Sequence, residues 1–124
     1  MPEAQRRLGR FDIELPIDIK MDLSTHAAVT KNIGTGGVFV ATEHLAKVGE
    51  RVALNLTVPG WPGPIAADGE VRWIRKTASP EHSERPAGMG VQFVGLTMGA
   101  SLVIQEFLQT CEAGERTHGL PKSP

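Results

Sequence analysis

The sequence predicts a mostly β protein: a six-stranded antiparallel β-barrel with one C-terminal α-helix. Three observations carry that prediction. Short segments of period-two hydrophobic alternation recur between residues 11 and 96. Turns rich in glycine and proline separate them. The apolar period then changes, once, to three- and four-residue spacing near the C-terminus. Closing six short strands into a barrel removes the exposed edges that so small a β protein would otherwise present.

Residues 11–20 place Phe11, Ile13, Leu15, Ile17 and Ile19 on one face, with Asp12, Glu14, Asp18 and Lys20 on the other. That is a half-buried strand, and Pro16, which has no N–H to donate, marks it as an edge or bulged one. A second strand covers His26 to Ile33 and a third Val38 to Thr42. Between them Gly34-Thr35-Gly36-Gly37 is too glycine-rich for a strand interior and reads as a tight turn. From Arg51, alternation resumes with Val52, Leu54, Leu56 and Val58 against Arg51, Asn55 and Thr57. Pro59 to Pro64 is a loop. Ile65 to Arg75 is the next strand, with Val71 and Trp73 on the same face, and the aromatic residues are expected mostly on core faces. Thr77 to Pro86 is an exposed hairpin loop, and Met89 to Leu96 completes the strands.

Ala100, Val103, Ile104, Phe107, Leu108 and Cys111 then form the stripe of an amphipathic helix. Thr97 is its N-cap and Gly114 its end. The helix covers an open end of the barrel or packs on its side. The expected organisation is a flexible arginine-containing arm over 1–10, a barrel domain over 11–113 and a disordered tail over 114–124.

Composition narrows the function. A chain of 124 residues, 40% apolar and 22% charged, is one globular domain. A single cysteine, Cys111, excludes an internal disulfide framework. The start has no apolar signal core, and the longest apolar stretch, Val52 to Ala67, is broken by Pro59, Pro62 and Pro64. A cytoplasmic protein without membrane insertion is therefore expected. A net charge of −1 argues against nucleic acid as a partner. So does the aromatic content: four phenylalanines, two tryptophans and no tyrosine are too few for a single-strand stacking platform.

No catalytic constellation emerges, so an enzyme is not expected. His26, His44, His82 and His118 lack metal-ligand spacing, and no metal or cofactor is expected. Cys111 falls on an apolar stripe with no base beside it, and no serine sits in a nucleophile elbow. Asp12, Glu14 and Asp18 occupy a polar strand face, the ordinary place for solvated charge.

Two short features remain. Arg6, Arg7 and Arg10 form a basic cluster just before the first strand, and Asn32 to Gly37 holds an amide followed by a glycine turn. Arginine forks grip phosphates bidentately and stack on purine faces. An amide reads a base edge, and a glycine backbone admits a ligand closely. Together they suit an anionic nucleotide.

These residues resemble the PilZ family, bacterial domains that bind cyclic di-GMP. Arg6 to Arg10 fits the family's Arg-x-x-x-Arg element, with Arg7 the common extra arginine. Asn32 to Gly37 fits Asp/Asn-x-Ser-x-x-Gly at its first and last positions. Gly69-Glu70-Val71-Arg72-Trp73 and Gly88-Met89-Gly90-Val91-Gln92-Phe93 look like its later strands, and the helix with Phe107 and Leu108 like its closing helix. The resemblance implies that Arg6 and Arg10 clasp phosphates and guanines with Arg7 assisting. It implies that Asn32 bonds a guanine and that the Gly36–Gly37 backbone seats the ligand. Gly34 stands where the family has serine, which removes one neutral hydrogen bond of about 0.5–1.5 kcal/mol. The implied function is a cyclic di-GMP receptor whose arm changes conformation on binding and signals to a downstream protein partner. The alternative is a degenerate domain of the same fold, a protein-interaction adaptor without nucleotide.

Overall fold

The computed structural model describes residues 10–76 and 86–116, with side chains as far as Cys111. Six antiparallel strands close into a barrel: β1 (Pro16–Met21), β2 (Ser24–Ile33), β3 (Gly37–Ala41), β4 (Arg51–Leu56), β5 (Ile65–Arg75) and β6 (Gly88–Gly95). Around the barrel they run β1-β2-β3-β6-β5-β4. One helix, α1 (Met98–Arg116), follows. The barrel and the closing helix read from the alternation are both present.

Alternation fills the interior. Ile17, Ile19, Val38, Val40, Val52, Leu54, Leu56, Ile65, Val71, Met89 and Val91 are buried in one core. Ala100, Val103, Ile104 and Leu108 of α1 belong to the same core, so helix and barrel share one hydrophobic interior. The strand that α1 approaches most is β5. Thr97 caps the helix, its Oγ1 accepting from the Ala100 N–H at 3.0 Å. The helix continues to Arg116 rather than ending at Gly114.

The expected first strand is divided. Only Pro16–Met21 joins the barrel, paired on both sides by β2 and β4, so Pro16 starts the strand rather than interrupting it. Residues 10–15 instead form a strap. Phe11 pairs with Ile33 through two backbone bonds, of 2.9 and 3.0 Å. The buried Thr30 hydroxyl donates to the Ile13 carbonyl at 2.6 Å and accepts from the Leu15 N–H at 2.9 Å. One side chain thus satisfies two backbone groups of the strap. Lys31 also pairs with Glu14 across this seam.

Three register shifts interrupt the ladders, one between Asp68 and Gly69 on β5 and two that shape the outer face. One lies between Thr30 and Asn32 on β2 and the other between Val71 and Trp73 on β5. An extra residue inverts the period-two pattern beyond it. Ile33 therefore points inward while Asn32 joins Phe39 outside. The same inversion corrects the expectation that Trp73 shares a face with Val71: Val71 is fully buried, and Trp73 is 45% exposed. Phe39 is another departure. It is buried, yet it lies outside the core, on the outer surface of the barrel.

Away from these bulges, His26 and His44, read as scattered surface residues, stack with ring centroids 3.8 Å apart. Among the described residues no group of three or more His, Cys, Asp or Glu could hold a metal ion. No described helix is long and apolar enough to cross a membrane.

Candidate functional site

Strand register builds an outward row across four strands. Asn32 on β2 pairs with Phe39 on β3, Phe39 with Gly90 on β6, and Gly90 with Trp73 on β5. The bare backbone at Gly90 lets the two aromatic rings meet over the middle strand. They stack nearly parallel, with centroids 5.0 Å apart and 14° between planes. A Cβ at Gly90 would overlap the Trp73 indole, and one at Gly88 would overlap Phe39. The Arg75 guanidinium lies over both rings, 5.1 Å from Phe39 and 5.3 Å from Trp73.

Beside this row lies a groove of about 510 Å³. Arg10, Asn32, Gly36, Gly37, Arg72, Trp73 and Gln92 are among its walls. A second hollow of about 360 Å³ shares Asn32 and Trp73 with it and continues toward Arg75. The strap delivers Arg10 to the groove, since Arg10 immediately precedes the Phe11–Ile33 pair. There its Nε donates to Asn32 Oδ1 at 2.8 Å. Partial burial pushes the Arg10 pKa below the ordinary guanidinium value. No carboxylate pairs with Arg10 among the described residues. An exposed cation whose described hydrogen bond goes to a neutral acceptor keeps its other donors for an anion. Arg72 adds a second cation to the walls, partly offset by Glu70 at 3.8 Å. The described walls of the larger groove contain no Asp or Glu.

Of the residues singled out from the sequence, Arg10, Asn32, Gly36 and Gly37 come together around the groove. Gly34 is buried and holds the turn, donating its N–H to the Gly37 carbonyl at 2.9 Å; it is not among the groove's described walls. Gly36 accepts from the Phe93 N–H at 2.8 Å, which ties the turn to β6. Gly37 is needed for close approach, because a Cβ there would strike the Val91 carbonyl. Arg6 and Arg7 lie outside the described residues. The sequence reading missed Arg72, Trp73 and Gln92 as walls. The signal for Trp73 was misleading, because strict alternation from Val71 points it inward and only the bulge turns it out.

The chain is a small closed β-barrel domain with a cationic, aromatic-walled groove on its outer face. The PilZ domain family model matches residues 4–110, and the chain belongs to that family. No curated protein sequence matches it. Among solved structures, the chain is similar to the Bacillus subtilis inhibitor of motility MotI/DgrA, with a TM-score of 0.73 and 20% identity over 86% of this chain. It covers 51% of that protein, about half its length. It is also similar to the PilZ domain of Escherichia coli YcgR, solved with c-di-GMP, with a TM-score of 0.63 and 17% identity over 90% of this chain and 95% of that one. Borreliella burgdorferi PlzA, in complex with c-di-GMP, gives a TM-score of 0.53 and 13% identity over 87% of this chain and 38% of that one.

Proposed function

We propose that the groove binds cyclic di-GMP and that the chain is a regulatory receptor domain rather than an enzyme. The observation that carries the reading is the placement of Arg10, Asn32 and the half-exposed Trp73 around one groove without carboxylates. Arg10 and Arg72 meet the phosphates, Trp73 offers a stacking face to a guanine, and Asn32 offers its amide to a base edge. The bare turn at Gly36 and Gly37 lets the ligand approach the barrel. Relatives of the same fold were solved with this ligand bound, which supports the choice among anionic nucleotides.

The arm ahead of Arg10 carries Arg6 and Arg7, near enough in sequence to reach the same ligand. Ligand binding draws this arm onto the barrel and creates a surface that a partner protein reads. Such a ligand is an intracellular second messenger, so this reading makes the chain cytoplasmic. Isothermal titration with cyclic di-GMP, with GTP as control, tests the reading. Micromolar or tighter binding, about −8 kcal/mol or better, is expected for the dinucleotide only.

A second reading rests on Gly34. Without the serine hydroxyl the site is reduced, and the domain is then a protein-interaction adaptor that binds no nucleotide. Absence of both heat and thermal stabilisation at high micromolar cyclic di-GMP favours that reading and overturns the first.

A further inference from the structure

The stacked histidines join two elements at a distance from the groove. His26 lies near the start of β2 and Asn32 near its end, so the stack and the groove occupy opposite ends of that strand. His44 belongs to the connection between β3 and β4. The two rings lie face to face, with centroids 3.8 Å apart and 13° between planes. His26 is half-buried and His44 exposed, and a hollow of about 350 Å³ adjoins both.

This arrangement accommodates one positive charge and not two. His26 Nε2 lies 3.0 Å from Ser24 Oγ, and the same hydroxyl lies 3.3 Å from the Met21 carbonyl. A proton on Nε2 donates to Ser24 Oγ, whose own hydrogen turns to Met21. A second proton, on His44, sets two like charges face to face. The charged groups sharing the hollow are Asp22 of the β1–β2 turn and Lys47 and Glu50 of the β3–β4 connection, and Glu43 precedes His44 in sequence. Opposite His26 on β1 is Ile19, buried and uncharged. Among the described residues no carboxylate is ion-paired with either imidazole. Glu50 Oε1 accepts the Lys47 N–H at 3.0 Å. No described ion pair therefore offsets the second charge.

The stack secures the first half of the connection. Ala46 is buried in the core, and its N–H donates to Met89 Sδ at 3.2 Å. Leu45 packs against the same core. Farther on, the Gly49 N–H donates to the Val71 carbonyl at 2.7 Å, which anchors the second half separately. We propose that the His26–His44 stack is a pH-sensitive clasp. It holds residues 42–46 on this end of the barrel while the pair carries no more than one charge, and it releases them, baring Leu45 and Ala46, when both rings are charged. The open connection binds two protons where the clasped one holds a single one, so acid favours opening. Histidine is the side chain whose charge ordinarily changes between about pH 5 and 8, which sets the window. The clasp needs no ligand and stands apart from the reading of the groove.

Thermal melts of the wild type and of His44→Phe, from about pH 8 to pH 5, test it. Phenylalanine keeps a flat ring against His26 and removes one of the two charges. His82 and His118 are common to both proteins and cancel in the comparison. The wild-type melting temperature is expected to fall relative to His44→Phe by about 3 °C or more on acidification, the scale of one repelling charge pair in a domain of this size. A difference that stays constant across the range overturns the proposal, because a purely structural stack would not move it. A second readout needs no variant. Cross-ring nuclear Overhauser contacts between His26 and His44 are expected near pH 8 and should vanish near pH 5, about the ends of the histidine range. Contacts that persist once both rings have titrated overturn the clasp.

Discussion

Trp73 keeps its place on the outer surface because Gly90, its partner on β6, has no side chain. Phe39 stacks with it from the far strand and Arg75 lies over both rings, while Trp73 stays about half exposed. Trp73→Ala should weaken cyclic di-GMP binding by about 1–3 kcal/mol, the worth of one base–aromatic stack, as read by titration calorimetry. Gly90→Ala should weaken it too, by displacing the indole rather than deleting it. In a Trp61→Phe background the remaining fluorophore, Trp73, should report ligand directly; unchanged emission at saturation would argue against stacking. Arg10 works differently, through charge. Arg10→Ala should cost about 1.5–3 kcal/mol of binding, the range for a charge-assisted hydrogen bond. The melting temperature should hold, since Arg10 is on the surface. Normal binding by Arg10→Ala would remove Arg10 from the mechanism.

At the level of elements, the strap of residues 10–15 and the bulge on β2 act as one device. The bulge turns Asn32 outward, and Thr30, buried just before it, holds the strap that presents Arg10 to Asn32. Thr30→Val keeps the shape and removes the hydroxyl. It strands the Leu15 N–H and the Ile13 carbonyl, and a buried unsatisfied group costs about 1–3 kcal/mol. Urea denaturation should therefore show a lower midpoint with an unchanged slope. Ligand affinity should fall as well, although Thr30 is not among the described groove walls. A variant that is destabilised yet binds normally would show that the strap does not position Arg10.

For the whole molecule the decisive fact is that α1 and the barrel share one core. Leu108 is fully buried in it, so Leu108→Ala should destabilise the protein by about 2–5 kcal/mol. Circular dichroism and tryptophan fluorescence should then report the same single transition. A helix that melts ahead of the barrel would contradict a shared interior. The groove lies outside that core, on the outer face of β2, β3, β6 and β5. On the proposed reading, a ligand seated in the groove leaves the hydrophobic interior closed.

Much of this was legible in the residues. Period-two alternation marked the strands, and β5 was read at its observed bounds, Ile65–Arg75. The change of period marked α1, and Thr97 its cap. Arg10, Asn32, Gly36 and Gly37 were singled out as site residues, and all four border the groove. These features are local: each depends on spacing within one segment, which a linear sequence records. What the sequence left undecided depends on pairing between segments. Residues 11–15 alternate like a strand, yet they form a strap, because the barrel closes β1 against β4 and leaves them to Thr30 and Ile33. Trp73 and Val71 share a parity in the sequence and lie on opposite faces in the barrel. A bulge arises where two strands must match a third in register, and no single strand encodes that mismatch. The tertiary structure alone thus decided that Arg72, Trp73 and Gln92 face the groove.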